Sequence, residues 1–193
     1  MKKSLLFLLF AAVSICGQGS FNDPRDGKKY KTTKIGTQTW MAENLNYNAS
    51  GSRCYGNDEN NCQKYGRLYD WNTALKACPS GWHLPSKDEW QELVDFAGGG
   101  ELAGTYLKTK SGWNDNKGVS GNGMDSYGFS ALPGGFGNSD GSFYGVGDYG
   151  DWWSASENNS NYAYLRYMGY HSDYALWDDS DEGCLFSVRC VQD

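Results

Sequence analysis

Three aspartates near the end of the chain are of a type and spacing that could bind a metal ion. Asp178, Asp179 and Asp181 follow Trp177 within a short acidic stretch. Carboxylate oxygens are the hard ligands that calcium prefers in proteins. The stretch therefore predicts a calcium site formed by these three carboxylates. The alternative interpretation is an acidic loop that is solvated and holds no ion.

A second candidate chemistry is recognition by aromatic side chains. The chain has 14 Tyr and 8 Trp, and tyrosines recur from position 144 to position 174. Tyrosine supplies rigid contact area with a polar tip at low entropic cost, which is why binding loops use it. We predict a ligand-binding face formed by Tyr144, Tyr149, Trp153, Tyr167 and Tyr170. Ordinary packing of these rings is the alternative, and strand alternation predicts that Trp152 and Trp153 point to opposite sides, one inward and one outward.

Neither histidine of the chain lies in a recognisable catalytic pattern. His83 stands between Trp82 and Leu84, so we predict that it packs there or bonds to the backbone. His171 lies in a polar stretch. We predict no catalytic residue and no cofactor other than the calcium ion.

The six cysteines predict disulfide bonds, because an exported chain meets an oxidising environment. Cys54 and Cys62 bracket a polar loop and would close it locally. Spacing alone leaves Cys78 with two candidate partners, Cys190 and Cys184. A zinc site is disfavoured, since the sequence has no Cys-x-x-Cys pair and 2 His.

The first residues have the pattern of a targeting segment. Lys2 and Lys3 precede an apolar run and then small residues, which predicts a signal peptide over residues 1–17. No later apolar run is long enough to span a membrane. We predict secretion or attachment to the outer membrane or cell surface, with lipidation at Cys16 as the second choice because Ile15 is not small. If Cys16 leaves with the signal peptide, Cys184 loses a potential partner and is predicted to be a free thiol.

One helix is defined at both ends by its own sequence. Ser86 and Glu89 have the spacing of a capping box, and Trp90, Leu93 and Val94 begin an apolar helical stripe. Glycines at positions 98–100 end this helix. A shorter helix is predicted over residues 68–77, after a long polar insertion from 44 to 63.

Short apolar runs separated by Gly, Asn and Asp turns predict strands elsewhere. These runs cover residues 30–35, 38–41, 129–132, 143–146, 152–155, 162–167 and 185–191. Residues 18–26 are predicted to be a polar leader, and residues 27–193 one domain. The predicted fold class is α+β, with two short helices and a twisted antiparallel sheet with long loops.

Several motifs in fixed order resemble the Fibrobacter succinogenes major paralogous domain family. They occupy residues 35–46, 65–69, 78–86, 127–135, 152–157 and 186–191. The resemblance covers roughly residues 23–193, and the order of its motifs is similar to that of the C-type-lectin-like fold and its formylglycine-generating branch.

This resemblance implies a C-type-lectin-like, disulfide-stapled fold. By analogy with that fold, Cys78 before the capped helix would bond to Cys190 in the last strand. Trp177 and the aspartates after it are similar to the calcium motif of sugar-binding lectins, although the carbohydrate loop that precedes that motif is missing. The catalysis of formylglycine-generating enzymes does not carry over, since it needs a pair of redox-active cysteines and Cys184 is single.

Charge and composition restrict the class of partner. The formal net charge is −6, and removal of Lys2 and Lys3 with the signal peptide makes it −8. An acidic chain without a basic stripe argues against binding to nucleic acid or to anionic membranes. We predict an exported, non-catalytic recognition module that binds a glycan or a protein partner through its aromatic late loops. The alternatives are an enzyme, acting on surface polysaccharide or related to formylglycine-generating enzymes, and a structural component of the cell envelope.

Overall fold

The computed structural model describes residues 17–193, so nearly all of the predicted signal peptide, including Cys16, lies outside the described residues. Four α-helices lie in this part of the chain: α1 Glu59–Tyr65, α2 Trp71–Ala77, α3 Lys87–Phe96 and α4 Ala103–Leu107. The strands are β1 Gln18–Asn22, β2 Lys29–Ile35, β3 Gln38–Met41, β4 Ser52–Arg53, β5 Leu68–Tyr69, β6 Trp82–His83, β7 Asp115–Asn116, β8 Val119–Ser120, β9 Gly134–Gly137, β10 Phe143–Val146, β11 Tyr149–Asn159, β12 Tyr162–Gly169, β13 Ala175–Asp181, β14 Phe186–Ser187 and β15 Val191–Gln192. No helix among the described residues is both long and apolar enough to cross a membrane.

Two larger sheets organise the fold. One has the order β1-β2-β3-β15-β6 and the other the order β13-β12-β11-β14-β5-β4, while β9–β10 and β7–β8 form separate hairpins. Every named strand pair is antiparallel except β11 with β14. The predicted α+β class with antiparallel pairing is therefore confirmed.

Several sequence-based boundaries were wrong. Part of the predicted leader, Gln18–Asn22, is strand β1 and pairs along its whole length with β2. The acidic residues Asp178, Asp179 and Asp181, predicted as a solvated loop or a calcium site, lie in edge strand β13, which is paired with β12. In both cases the neighbouring strand supplies the backbone partners, so polar side chains did not prevent a strand.

Two of the four helices were missed by the sequence-based prediction. Helix α1 lies in the predicted polar insertion, where the Asp58 side chain accepts a hydrogen bond from Asn60 N at 2.9 Å and caps the helix. Helix α4 lies in a glycine-rich stretch and has no side-chain cap. Its buried residues Ala103 and Leu107 show that tertiary packing, not propensity, forms this helix. The predicted helix over 68–77 begins later, at Trp71, because Leu68–Tyr69 pairs as β5.

The predicted strand over 129–132 is also wrong. Ala131 makes one isolated bridge, with Lys108, and the strand forms further along the chain as β9. The run 185–191 is divided into β14 and β15, which belong to different sheets. Arg189, between these two strands, is fully buried and lies with its guanidinium carbon 4.4 Å from the centre of the Phe129 ring. Its guanidinium donates to Asn44 Oδ1 at 2.6 Å and to the backbone oxygens of Met41 and Phe129.

Strand β11 separates two hydrophobic cores. Trp153 lies in the first core together with Trp71 of α2, and Trp152 lies in the second core together with Trp90 of α3. Both indoles are fully buried, so the prediction that one of them faces outward is wrong. Alternation does send them to opposite faces of the strand, but a helix covers each face.

The described chain contains one short-range and one long-range disulfide. Cys54 bonds to Cys62, and Cys78 bonds to Cys190, so both pairings that we predicted are confirmed. Cys184 is free and partly buried. The second disulfide spans 112 residues and connects the end of α2 to the segment before β15. It therefore fixes the closing strand β15 to the end of helix α2.

His83 belongs to strand β6 and bonds to two carboxylates, whereas we predicted that it packs beside Trp82 and Leu84 or bonds to the backbone. Nε2 lies 2.7 Å from Glu89 Oε1, and Nδ1 lies 2.7 Å from Asp193 Oδ1. Glu89 Oε2 accepts from the Ser86 amide at 2.8 Å and thereby completes the predicted capping box. Burial opposes protonation of the ring, but the hydrogen bonds and charges of the two carboxylates outweigh it and raise the pKa of His83.

This arrangement predicts a pH dependence of stability. Because the folded-state pKa of His83 lies above its ordinary value of 6.5, the stabilisation is complete below that value and is lost as the pH rises through the folded-state pKa. We expect the stability advantage of the wild type over His83→Gln to shrink in urea titrations as the pH is raised from about 6.5 into the alkaline range. Comparing the two proteins at each pH cancels the other titrating groups. An advantage that stays constant over this range would contradict the assignment.

Candidate functional site

The site lies at the turn 170–174, between β12 and β13, and the turn is held from three sides. Tyr170 N donates to Asp148 O at 2.8 Å, and Gly104 N of helix α4 donates to Asp173 O at 2.9 Å. The ammonium of Lys108 donates to the backbone oxygens of Ser172 at 2.8 Å and Gly169 at 3.1 Å. These contacts fix the backbone of the turn.

Four tyrosines and a histidine gather at this turn, and we call this group the tyrosine face. It consists of Tyr149, Tyr167, Tyr170, His171 and Tyr174. The ring of His171 lies edge-on to Tyr149, with centroids 6.0 Å apart, and to Tyr170, with centroids 5.3 Å apart. Tyr149 and Tyr170 also meet edge to face at 6.3 Å.

Gly169 allows His171 to approach Tyr149 so closely. It pairs with Tyr149 across the β11–β12 ladder, and a Cβ atom at this position would lie 2.9 Å from Cε1 of His171. Any larger residue would push the imidazole away from the tyrosine. Burial and the neighbouring Tyr170 and Asp148 raise the pKa of Tyr149, so its phenol is neutral and can donate a hydrogen bond near neutral pH.

An open groove of about 620 Å³ lies beside three members of the tyrosine face. Tyr167, His171 and Tyr174 line it together with apolar Leu102 and Leu176, and Glu101, Ser172 and Asp173 supply polar atoms. Leu102 is 50 % exposed and Tyr174 is 45 % exposed. Adjoining exposed apolar side chains with a polar border are typical of an interaction surface.

A buried carboxylate lies beside the tyrosine face. Asp151 pairs with Tyr167 across the ladder and stands two residues from Tyr149 on β11, so the three side chains share one face of the sheet. Asp151 is 7 % exposed, and its Oδ2 has no hydrogen-bond partner among the described residues. Burial, with a contribution from the charge of Asp178, raises its pKa to about 7.

The structure brings together three of the five aromatic residues that we predicted to bind ligand. Tyr149, Tyr167 and Tyr170 lie within or beside the turn. Tyr144 is half exposed but belongs to the β9–β10 hairpin, where its ring lies 6.0 Å from Phe136. Trp153 was predicted wrongly, because it is fully buried against Phe186 and donates its indole N–H to Tyr69 O at 2.8 Å.

The three predicted calcium ligands do not form one set. Asp178 and Asp179 are neighbours on strand β13 and therefore point to opposite faces. Asp181 Oδ1 accepts a hydrogen bond from Gly183 N at 2.8 Å. Within residues 17–193, the one group of three potential ligands close enough to share an ion is Cys54, Glu59 and Cys62, and its two cysteines are bonded to each other.

A second cavity, of about 370 Å³, contains two carboxylates, Asp70 and Glu182. An enzyme acting on polysaccharide would need two such groups that are free to exchange protons. Asp70 already caps α2: its Oδ1 accepts from Thr73 N at 2.8 Å and its Oδ2 from Thr73 Oγ1 at 3.1 Å. The carboxylate of Asp70 therefore has a structural role as the cap of α2.

Sequence reasoning missed Lys108 and Asp151 at the site and did not assign His171 to it. A carboxylate directly before two tryptophans in a strand was the available signal for Asp151, since strand alternation places it on the same side as Trp153. Lys108 had no such signal, because its role depends on the distant turn that it contacts.

Comparison with known proteins bears on family membership. A search of curated proteins and a search of solved structures each gave no match. The sequence-family model of the Fibrobacter succinogenes major domain matches residues 33–192. This range includes the site, all four helices and both disulfides. The chain therefore belongs to the Fibrobacter succinogenes major domain family.

Proposed function

We propose that this protein is an exported, non-catalytic recognition module on a C-type-lectin-like scaffold, and that it binds a glycan at the cell surface through the tyrosine face. The observation that carries the proposal is a groove at the fixed turn that Tyr167 and Tyr174 line together with the exposed side chain of Leu102. Rigid scaffolds with functional residues on their loops are a common arrangement for binding.

The chemistry of the groove suits a sugar. The C–H faces of a pyranose pack on aromatic rings, and its hydroxyl groups need polar partners at the edge. Tyr167 and Tyr174 offer rings with polar tips, and Ser172 and Asp173 offer polar atoms beside them. A purely apolar peptide would leave these polar groups without partners.

The proposal that the chain is exported has support of its own. Two disulfides in the described residues suit an oxidising compartment. The charged and apolar pattern of the first residues suits a signal peptide. Cleavage near residue 17 would leave β1 at the start of the mature chain, with its pairing to β2 complete.

The test is glycan binding by matched tyrosine variants. After an array has identified a retained glycan, we expect Tyr174→Ala to weaken binding about tenfold, as is usual for an aromatic residue central to an interface. Tyr162→Ala is the control, because Tyr162 is similarly exposed, at 41 %, but begins β12 at the end away from the turn. Isothermal titration calorimetry measures both affinities.

Three results would contradict this proposal. Equal losses in the two variants would place binding outside the tyrosine face. Retention of a protein partner but of no glycan would show that the surface recognises protein, and turnover of a retained polysaccharide would show an enzyme. Repeating the array with a calcium chelator tests whether the predicted ion takes part.

A further inference from the structure

The buried lysine Lys108 lies on the side of the turn 170–174 that is away from the groove of the tyrosine face. Lys108 is 1 % exposed, and its Nζ makes two hydrogen bonds, both to backbone oxygens of the turn. An ammonium group has three donors, so one of them has no hydrogen-bond acceptor among the described residues. No carboxylate oxygen of these residues lies within 4.0 Å of Nζ.

This buried charge is incompletely balanced. Asp173 acts on Lys108 only at longer range, and the ring centre of Trp113 lies 5.2 Å from Nζ. Burial lowers the pKa of Lys108, and the charge of Asp173 opposes that effect. A buried cation without a paired carboxylate is costly, and an anion placed near it would reduce the cost.

A pocket of about 300 Å³ gives access to this region. Lys108, Tyr170, His171 and Asp173 line it on the side of the turn. The hairpin β7–β8 closes the other side with Asn116, Lys117, Val119 and Ser120. Two lysines and one aspartate therefore line this pocket, in a chain whose overall net charge is −6.

The turn forms the wall between this pocket and the groove of the tyrosine face, since His171, Ser172 and Asp173 line both. A sugar on the tyrosine face could therefore extend a charged substituent over the turn. The hydroxyl of Ser120 and the amide of Asn116 add polar groups to the pocket. An oxyanion with several acceptor oxygens suits this set of donors.

We propose that the pocket at Lys108 binds the anionic group of an acidic glycan, either the carboxylate of a uronic acid or a sulfate ester. The ligand class rests on the proposed function, whereas the anion site can be tested without it. Lys108 supplies the buried charge, and Lys117 on the hairpin supplies a second charge that a bound anion meets from the solvent side.

The test compares glucuronate with its neutral methyl ester, because the two share one ring and differ in charge. Backbone amide shifts in NMR titrations locate the ligand, and we expect glucuronate alone to move the signals of residues 116–120 and 170–173. Inorganic sulfate in a parallel titration distinguishes a sulfate site from a carboxylate site.

Substitutions of single lysines test whether glucuronate binds in the pocket at Lys108. We expect Lys117→Gln to weaken glucuronate binding about two- to fivefold, and Lys110→Gln, an exposed lysine that does not line the pocket, to leave it unchanged. Lys108→Met should weaken it about tenfold or more. If Lys108→Met does not fold, two comparisons still test the anion site. These are Lys117→Gln against Lys110→Gln, and glucuronate against its methyl ester.

The outcomes separate the two proposals. Equal binding of glucuronate and ester, equal effects of Lys117→Gln and Lys110→Gln, or shifts confined to other residues would overturn the anion site, even if neutral glycans bind to the tyrosine face. Charge-dependent shifts in the pocket, with no glycan retained on the array, would support the anion site and overturn the proposed glycan function.

Discussion

The Asp151→Asn variant is expected to gain stability relative to the wild type as the pH rises. Burial raises the pKa of Asp151 from 3.8 to about 7. In the wild type, the unfolded chain therefore releases this proton at a lower pH than the folded chain does. Stability falls with rising pH between these two values, by about 4 kcal/mol at about 1.4 kcal/mol per unit. Asparagine has no charge to bury, so it removes this loss.

Urea titrations near about pH 4 and about pH 8 measure the effect. At the lower pH the variant should match the wild type or be slightly less stable. The asparagine amide group that replaces Asp151 Oδ2 would, like that oxygen, lack a hydrogen-bond partner. At the higher pH it should be more stable by several kcal/mol. Asp179→Asn is the matched control, because Asp179 is an exposed aspartate on β13. Parallel pH curves for wild type and Asp151→Asn would show that the Asp151 carboxylate is not desolvated.

A higher stability of Asp151→Asn at the higher pH would indicate that Asp151 is present for function and not for stability. Most substitutions in a packed sheet reduce stability, whereas charged groups that destabilise the fold concentrate at functional sites. Asp151 lies on the same face as Tyr149 and Tyr167, so its charge acts next to the proposed binding surface.

Removal of the Cys78–Cys190 disulfide is expected to cost about 4–5 kcal/mol of unfolding free energy. The bond closes a segment of 112 residues, and the loss of constraint in the unfolded chain grows with the length of the closed loop. Since small domains have total stabilities of about 5–15 kcal/mol, the Cys78→Ala/Cys190→Ala variant should be close to unfolded at physiological temperature.

The second disulfide of the described chain provides the control. Cys54–Cys62 has a sequence separation of 8, for which the same loop-length relation gives about 2.5 kcal/mol. The Cys54→Ala/Cys62→Ala variant should therefore remain folded and lose less stability. Chemical denaturation followed by tryptophan fluorescence compares the two. Equal losses would contradict the dominance of the long-range disulfide.

The parts of the fold that were predictable are those specified by neighbouring residues. Ser86 and Glu89 are three positions apart and form the capping box that begins α3, and Gln38–Met41 and Phe143–Val146 are strands with the predicted bounds. The Cys78–Cys190 bond was predictable only through the resemblance to a known fold, because spacing alone also allowed Cys184.

The remaining elements depend on residues far away in sequence. Helix α4 has five residues and no side-chain cap, so packing decides its conformation. Strand β13 carries three aspartates and forms because β12 offers a complete row of backbone partners. Two cores, rather than one, cover β11 and bury both Trp152 and Trp153.

The residues of the candidate site also divide into those that the sequence predicted and those that depend on contacts far away in sequence. Composition predicted an aromatic surface; Tyr149 and Tyr170 are in ring contact at the turn, and Tyr167 lies on β12 shortly before it. Lys108 could not be assigned from sequence, because its partners, the oxygens of Gly169 and Ser172, lie more than 60 positions away. Backbone acceptors of this kind leave no pattern in the sequence.

The most direct test of the central claim is NMR of the protein with labelled tyrosine rings, titrated with the glycan that the array retains. We predict that the ring signals of Tyr149, Tyr167, Tyr170 and Tyr174 shift at saturation. The signals of buried Tyr69 and of Tyr162 at the far end of β12 should stay in place. Shifts at Tyr162 without shifts at the turn, or no ring shift with a glycan that binds, would contradict the account.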